Sequence, residues 1–328
     1  MSTEPETEAI PGNLKGAAIQ TVEDAIFTRE LDDLLKDAEA MRMEHMKRAQ
    51  TRNLAAIACG IVAVLAAGGG FGWFFLMQGT LIKAVACVAL ALAVPMLLAR
   101  WAQKPLQDYA ARYKTDFLPR MGRLLGGLAF HPTRGISSKI LPKTGIVPQH
   151  QQYRAEDCFM GTYKGIKIVF SEAHLYVQQK EIFDGIFVLL ELAGPHFEGH
   201  TIVTSDDAAI KQWRATRWQK FSSVLINNPA YITKFQMFST NAEKAPDYVG
   251  DAFLKELSEM MDMFDNAPIS AALFGRKYVF ISIPCRANMF EPSHLHMPIT
   301  TKTHALRCKR EIEQIMSIID ILNLYKTE

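Results

Sequence analysis

Three carboxylates stand where they could do chemistry together. Glu156, Asp157 and Glu172 flank a stretch with the pattern of a β-hairpin, and across paired strands they could act as general acid and base in a hydrolase-like enzyme. Surface or turn-capping carboxylates explain the same residues without catalysis. His196 and His200 form a His-x-x-x-His, but Pro195 and Gly199 argue against a helix there. On an extended strand, residues four apart lie about 13 Å from each other, too far to share a zinc ion. His294 and His296 would share one strand face about 7 Å apart, with Cys285 or His304 joining, although solvated loop histidines account for them more simply. No nucleophile elbow, Walker sequence or dinucleotide-binding glycine fingerprint occurs, and Gly68-Gly69-Gly70 falls in an apolar run that cannot hold phosphate. No metal and no cofactor is therefore expected, and a binding role is favoured over catalysis.

A second constellation is Lys211, Trp213, Arg214, Arg217, Trp218 and Lys220, a cationic helix with two tryptophans. Tryptophan beside arginine and lysine suits the head-group layer of an anionic bilayer, which makes this the lipid-binding candidate. The alternative buries the tryptophans on a sheet and leaves the bases in water. Nucleic acid would attract the same charges, but the domain lacks an overall basic footprint, so no nucleic-acid partner is expected. Gly185 and Gly199 read as bulges or tight turns rather than ligand loops.

These residues need elements to position them. The chain has 328 residues and a formal charge of +2, and its mean hydropathy near zero averages two very apolar stretches with strongly charged ones. Five cysteines without a Cys-x-x-Cys pair suggest neither a disulfide framework nor a zinc knuckle and fit a reducing compartment. Residues 1–20, with Glu4, Glu6 and Glu8, read as a disordered acidic tail rather than a targeting peptide. Residues 21–52 form an amphipathic, coiled-coil-like helix with Phe27, Leu31, Leu34, Ala38, Met41 and His45 in one stripe and Thr21 with Asp24 as its start cap. That stripe either pairs subunits into a homo-oligomer or packs on the chain's own domain.

Residues 53–100 predict a two-helix transmembrane hairpin. The runs 54–77 and 81–99 each match the roughly 20 apolar residues that cross a bilayer, and Gln78-Gly79-Thr80 leaves room only for a tight antiparallel turn. Lys83 can snorkel near that turn. Arg42, Lys47, Arg48 and Arg52 precede the first run, and Arg100, Lys104 and Arg112 follow the second, which predicts both termini on the cytoplasmic side of a multi-pass inner-membrane protein. Small residues four apart, Ala56 with Gly60 and Gly68 with Gly72, permit close helix approach, most simply within the hairpin. Neither run contains an acid, which argues against a transporter.

Residues 101–150 predict a basic juxtamembrane helix and linker, with Pro119 kinking or breaking the helix. Residues 151–328 predict an α+β cytosolic domain. Short apolar strands are expected at 158–163, 166–170, 186–192, 200–204, 222–226, 235–239, 269–274 and 278–283, in a mainly antiparallel sheet. Helices at 207–220, 247–264 and 303–324 should pack on it.

Glu156-Asp157 followed by Gly161, Phe170-Ser171-Glu172, Phe183-x-Gly185-x-Phe187, Phe197-x-Gly199-x-Thr201, Asp206, and Phe235 leading to Ser239-Thr240-Asn241 form an ordered series. From about Tyr113 to the C-terminal helix, this series resembles the bacterial domain-of-unknown-function 3137 family, although an acid is commoner there where Asn241 stands. The resemblance implies a bacterial inner-membrane protein with a two-span hairpin ahead of the domain, and it implies no activity. The expected function is a membrane-anchored binding or scaffolding module for membrane-proximal proteins or anionic lipids; the rival is a membrane-tethered enzyme using Glu156, Asp157 or Glu172.

Overall fold

A computed structural model describes residues 13–77, 80–214, 220–285 and 290–291, together with helical positions 312, 313, 315, 316 and 319. Helix α1 (Asn13–Gly72) begins within the segment expected as a disordered acidic tail and runs through the amphipathic stripe and the first apolar stretch without interruption, ending in a π turn at Trp73–Met77. Its start lies upstream of Thr21, so Thr21 sits inside the helix and does not cap it. Helix α2 (Leu81–Arg112) returns antiparallel, followed by a second π turn at Tyr113–Phe117 and by α3 (Leu118–Leu124). Both long helices are apolar and long enough to cross a membrane, and their apolar stretches are almost entirely unburied. Leu76 and Ile82 are 76% and 86% exposed, a surface that hydrocarbon tolerates and water does not. The spans meet closely where Gly70 abuts Cys87, whereas Gly60 borders an open groove with Ala56, Val64 and Leu98.

Below the apolar stretch the hairpin changes character. Leu31, Leu34, Leu35, Ala38 and His45 are buried in one cluster region with Tyr109, Tyr113, Phe117 and Met121. The His45 Nδ1–H donates to the Pro105 carbonyl at 3.1 Å. From Leu31 to His45 the heptad-like stripe is therefore covered within the chain. Pro119 does not end the helical run, which continues to Leu124. It enters at the first turn of α3, directly after the π turn, where the wider backbone loop tolerates its missing N–H.

The domain is built on a nine-stranded sheet in the order β1-β2-β3-β4-β9-β8-β5-β7-β6, antiparallel throughout the described pairings. The strands are β1 (Ala129–His131), β2 (Gln152–Tyr163), β3 (Ile166–Val177), β4 (Lys180–Glu191), β5 (Thr201–Thr204), β6 (Ser222–Val224), β7 (Gln236–Ser239), β8 (Ser270–Phe274) and β9 (Tyr278–Pro284). Lys164 and Gly165, both with positive φ, make the tight β2–β3 turn that the sequence announces. Period-two alternation sorts the core into two layers. Ile168, Phe170, Ile186, Val188, Val279 and Ile281 face the helical stalk, while Leu175, Phe187, Leu189, Ile202, Phe238 and Phe280 face the opposite side.

Three short helices complete the described domain. Helix α4 (Asp207–Trp213) packs Ala209 and Ile210 on the side away from the stalk, and α5 (Ala245–Tyr248) precedes α6 (Asp251–Met263). Helix α6 buries Phe253, Leu254, Leu257 and Met260 in the stalk-side core, as its stripe predicts, but Val249 and Gly250 separate it from α5. Ile312, Ile315 and Ile319 are buried in the same layer. The largest departure from expectation is length: β2 and β3 extend well beyond their apolar halves, to Gln152 and Val177.

Candidate functional site

The polar extension of β2 and β3 is where reactive groups converge. Along one face of β3, Ile166, Ile168 and Phe170 enter the stalk-side core, and the same alternation then presents Glu172 and His174. Glu156 on β2 lies directly across from Glu172, and Asp184 on β4 directly across from His174. Between Glu156 and Phe159 the β2–β3 register shifts, and Asp157 takes φ 51°. This bulge breaks the alternation and turns Asp157 inward, where its side chain is 0% exposed.

Burial sets the electrostatics. Asp157 accepts from Lys114 Nζ at 2.7 Å, and the same ammonium lies 2.7 Å from Glu291. Lys114 comes from the π turn of the stalk, so the ion pairs tie the stalk to the sheet. Burial pushes the Asp157 carboxyl up to about 6 in spite of Lys114. Burial, reinforced by the charge of Asp157, pushes Glu172 up to about 7, and the Phe290 N–H donates to its Oε1 at 3.4 Å. The Oδ1 of Asp157 has no hydrogen-bond partner among the described residues.

His174 links this group to a second set of acids. Its Nδ1 lies 2.9 Å from Glu181 Oε1 and 3.4 Å from Asp184 Oδ1. The hydrogen bond to His174 holds the Glu181 carboxyl below its ordinary value. Its Nε2 is 3.3 Å from Glu156 Oε1 but poorly aligned with it, so that buried atom makes no hydrogen bond. Potential ligand atoms of Glu156, Glu172 and His174 all lie within 4.8 Å of one another, as do those of His174, Glu181 and Asp184.

The structure thus assembles the three expected carboxylates into one cluster, and it adds Lys114, His174, Glu181, Asp184 and Glu291. The available signal for His174 was Glu172-x-His174, the spacing of two residues on one strand face. The other histidines are employed differently: His196 Nδ1 and His200 Nε2 each donate to a backbone carbonyl, of Gly194 and Thr144 respectively, both at 2.9 Å. Cys285 is half-buried at the end of β9, and His294, His296 and His304 lie outside the described residues.

The cationic segment is described only in part. Asp206 caps α4 by accepting from the Ala208 and Ala209 N–H groups. Lys211, Arg214 and Lys220 are exposed, and the Arg214 guanidinium lies 5.3 Å above the Phe238 ring. Arg217, Trp218 and the side chain of Trp213 lie outside the described residues. The glycines of the sequence series are structural. A Cβ on Gly185 would stand 2.2 Å from the Ile283 carbonyl oxygen, and Gly199 turns with φ 79° beside Thr240. Ser239 Oγ accepts from the Asn241 N–H, so that corner is held by its own hydrogen bond.

Residues 181–324 match the family model described as Protein of unknown function (DUF3137), which supports assignment to that family. The matched segment begins at β4, so Glu156, Asp157, Glu172 and His174 lie outside it while Glu181 and Asp184 lie inside. No curated protein matches the chain, and no solved structure does.

Proposed function

We propose that this protein, placed in the DUF3137 family by its residues 181–324, is a two-span protein of the bacterial inner membrane whose cytosolic domain is a non-enzymatic binding or scaffolding module. One observation carries the reading: the helices able to cross a bilayer continue as the stalk whose Leu34, Tyr109 and Phe117 share a core with Phe159 and Phe170 of the sheet. A domain fused to its anchor in this way works at a lipid surface. The basic residues flanking both spans favour cytoplasmic termini. Within this reading, Lys211, Trp213, Arg214, Arg217 and Trp218 contact anionic head groups; the exposure of Lys211 and Arg214 supports it. Membrane-proximal proteins are the remaining partners, and a homo-oligomer would need a face other than the covered stripe of α1.

Fractionation provides the test. The full chain should remain in the pellet after alkaline carbonate washing, and a C-terminal reporter should be active only in the cytoplasm. Recovery in the soluble fraction would end the proposal. Reconstituted protein should also tether vesicles containing phosphatidylglycerol, and replacing Lys211, Arg214 and Arg217 by Gln should abolish tethering; unchanged tethering removes the lipid contact.

A second reading, a membrane-tethered hydrolase-like enzyme, is favoured by the raised carboxyls of Asp157 and Glu172 in one cluster. It requires a turnover that disappears in Glu172→Gln.

A further inference from the structure

We infer that Glu156, Glu172 and His174 form a binding site for a first-row divalent transition-metal cation, with His174 Nε2 and one oxygen of each carboxylate as ligands. The inference does not depend on the membrane role, since it rests only on the β2–β4 corner of the sheet.

Glu156 and Glu172 face one another directly across two paired strands. Like charges in that position repel and destabilise a sheet unless something positive stands between them. Lys114 is already shared by Asp157 and Glu291, and the exposed Arg154 guanidinium reaches Glu156 at its other oxygen, Oε2, at 3.2 Å, not at the Oε1 that faces His174. His174 supplies the third donor in the orientation that metal-bound histidines adopt. Its Nδ1 is held by the Glu181 carboxylate, which fixes the ring and raises the basicity of the other nitrogen. Nε2 is left buried, 3.3 Å from Glu156 Oε1 and without a hydrogen bond among the described residues.

A separate observation comes from Asp157, whose fully buried side chain leaves Oδ1 without a partner beside this cluster. A water bound to the cation would give that oxygen its missing donor. Ligand atoms now within 4.8 Å of one another must close to about 3.4 Å, the edge of a tetrahedron with metal–ligand bonds of about 2.1 Å. Long glutamate side chains make that adjustment without moving the backbone. An imidazole beside two carboxylates suits zinc, manganese or iron better than magnesium or calcium, which prefer oxygen alone. Three protein ligands also leave coordination positions open to water or a further ligand.

Full-length protein without a histidine tag, purified in detergent and stripped with EDTA, is titrated separately with Zn2+ and Mn2+ by calorimetry. One saturable equivalent is expected, not displaced by equal Mg2+. His174→Ala and Glu172→Gln should each weaken binding at least tenfold, while Glu198→Gln, at an exposed acid elsewhere, should leave it unchanged. Pulsed electron paramagnetic resonance of the wild-type Mn2+ complex should detect nitrogen coupling from an imidazole that His174→Ala removes. No saturable binding, binding indifferent to both variants, or a Mn2+ complex without nitrogen coupling would overturn the assignment. The wild-type spectrum keeps the test decisive even where a variant fails to fold.

Discussion

Replacing Glu172 by Gln should stabilise the metal-free protein above neutral pH and leave its stability unchanged in acid. Glu172 is only 6% exposed, and its carboxyl rises from 4.5 to about 7 on folding. The folded state therefore holds this proton more tightly than the unfolded chain does. That preference contributes stability fully below 4.5 and is lost as the pH rises through about 7. At about 1.4 kcal/mol per unit, an ionised Glu172 costs the native state roughly 3 kcal/mol at pH 8. Gln keeps the oxygen that accepts from the Phe290 N–H but carries no charge, so the variant escapes the cost. The assay is thermal unfolding in detergent with EDTA, followed by tryptophan fluorescence, at pH 8 and pH 4. For a domain of this size a gain of 1 kcal/mol raises Tm by about 2–4 °C, so several degrees are expected at pH 8. A variant no more stable than wild type at pH 8, or a gain that persists undiminished at pH 4, would refute the reasoning.

Lys114→Met should cost about 2–4 kcal/mol near neutrality by leaving the buried Asp157 carboxylate without its cation, and less near pH 5, where Asp157 is protonated; denaturant titration at the two pH values measures it. Gly185→Ala should separate β4 from β9, because the added carbon would lie 2.2 Å from the Ile283 carbonyl oxygen, and limited proteolysis should then cut the sheet domain. Asp206→Ala removes two hydrogen bonds at the start of α4 and should cost about 1 kcal/mol, seen as faster amide exchange in α4 with β3 unaffected.

The two long apolar helices are plain in the sequence, because each run has the length and composition that crosses a bilayer. The apolar strands were equally legible, since short continuous apolar runs mark strands buried on both faces of a sheet. What escaped was polar. Arg154, Glu156, His174 and Tyr176 lie on strands, yet nothing apolar marked them as such, so β2 and β3 looked half their length. The carboxylates were found through the hairpin between them. His174 has no partner at a ligand spacing that stands out along the chain, because Glu156 and Asp184 lie across neighbouring strands. Lys114 depends on a π turn, a backbone device with no residue signature, and so its pairing with Asp157 could not be read in advance.

The uninterrupted passage from spans to stalk fixes an angle as well as a height. Helix α1 alone rises about 90 Å over its 60 residues. Each residue of a helix also advances about 100° around its axis, so the direction in which the carboxylate corner points, relative to the apolar helices, is set by residue count. The π turn at Tyr113–Phe117 is in effect one added residue in that count. Its removal would swing the whole β-sheet around the long axis of the hairpin while leaving both apolar helices where they were.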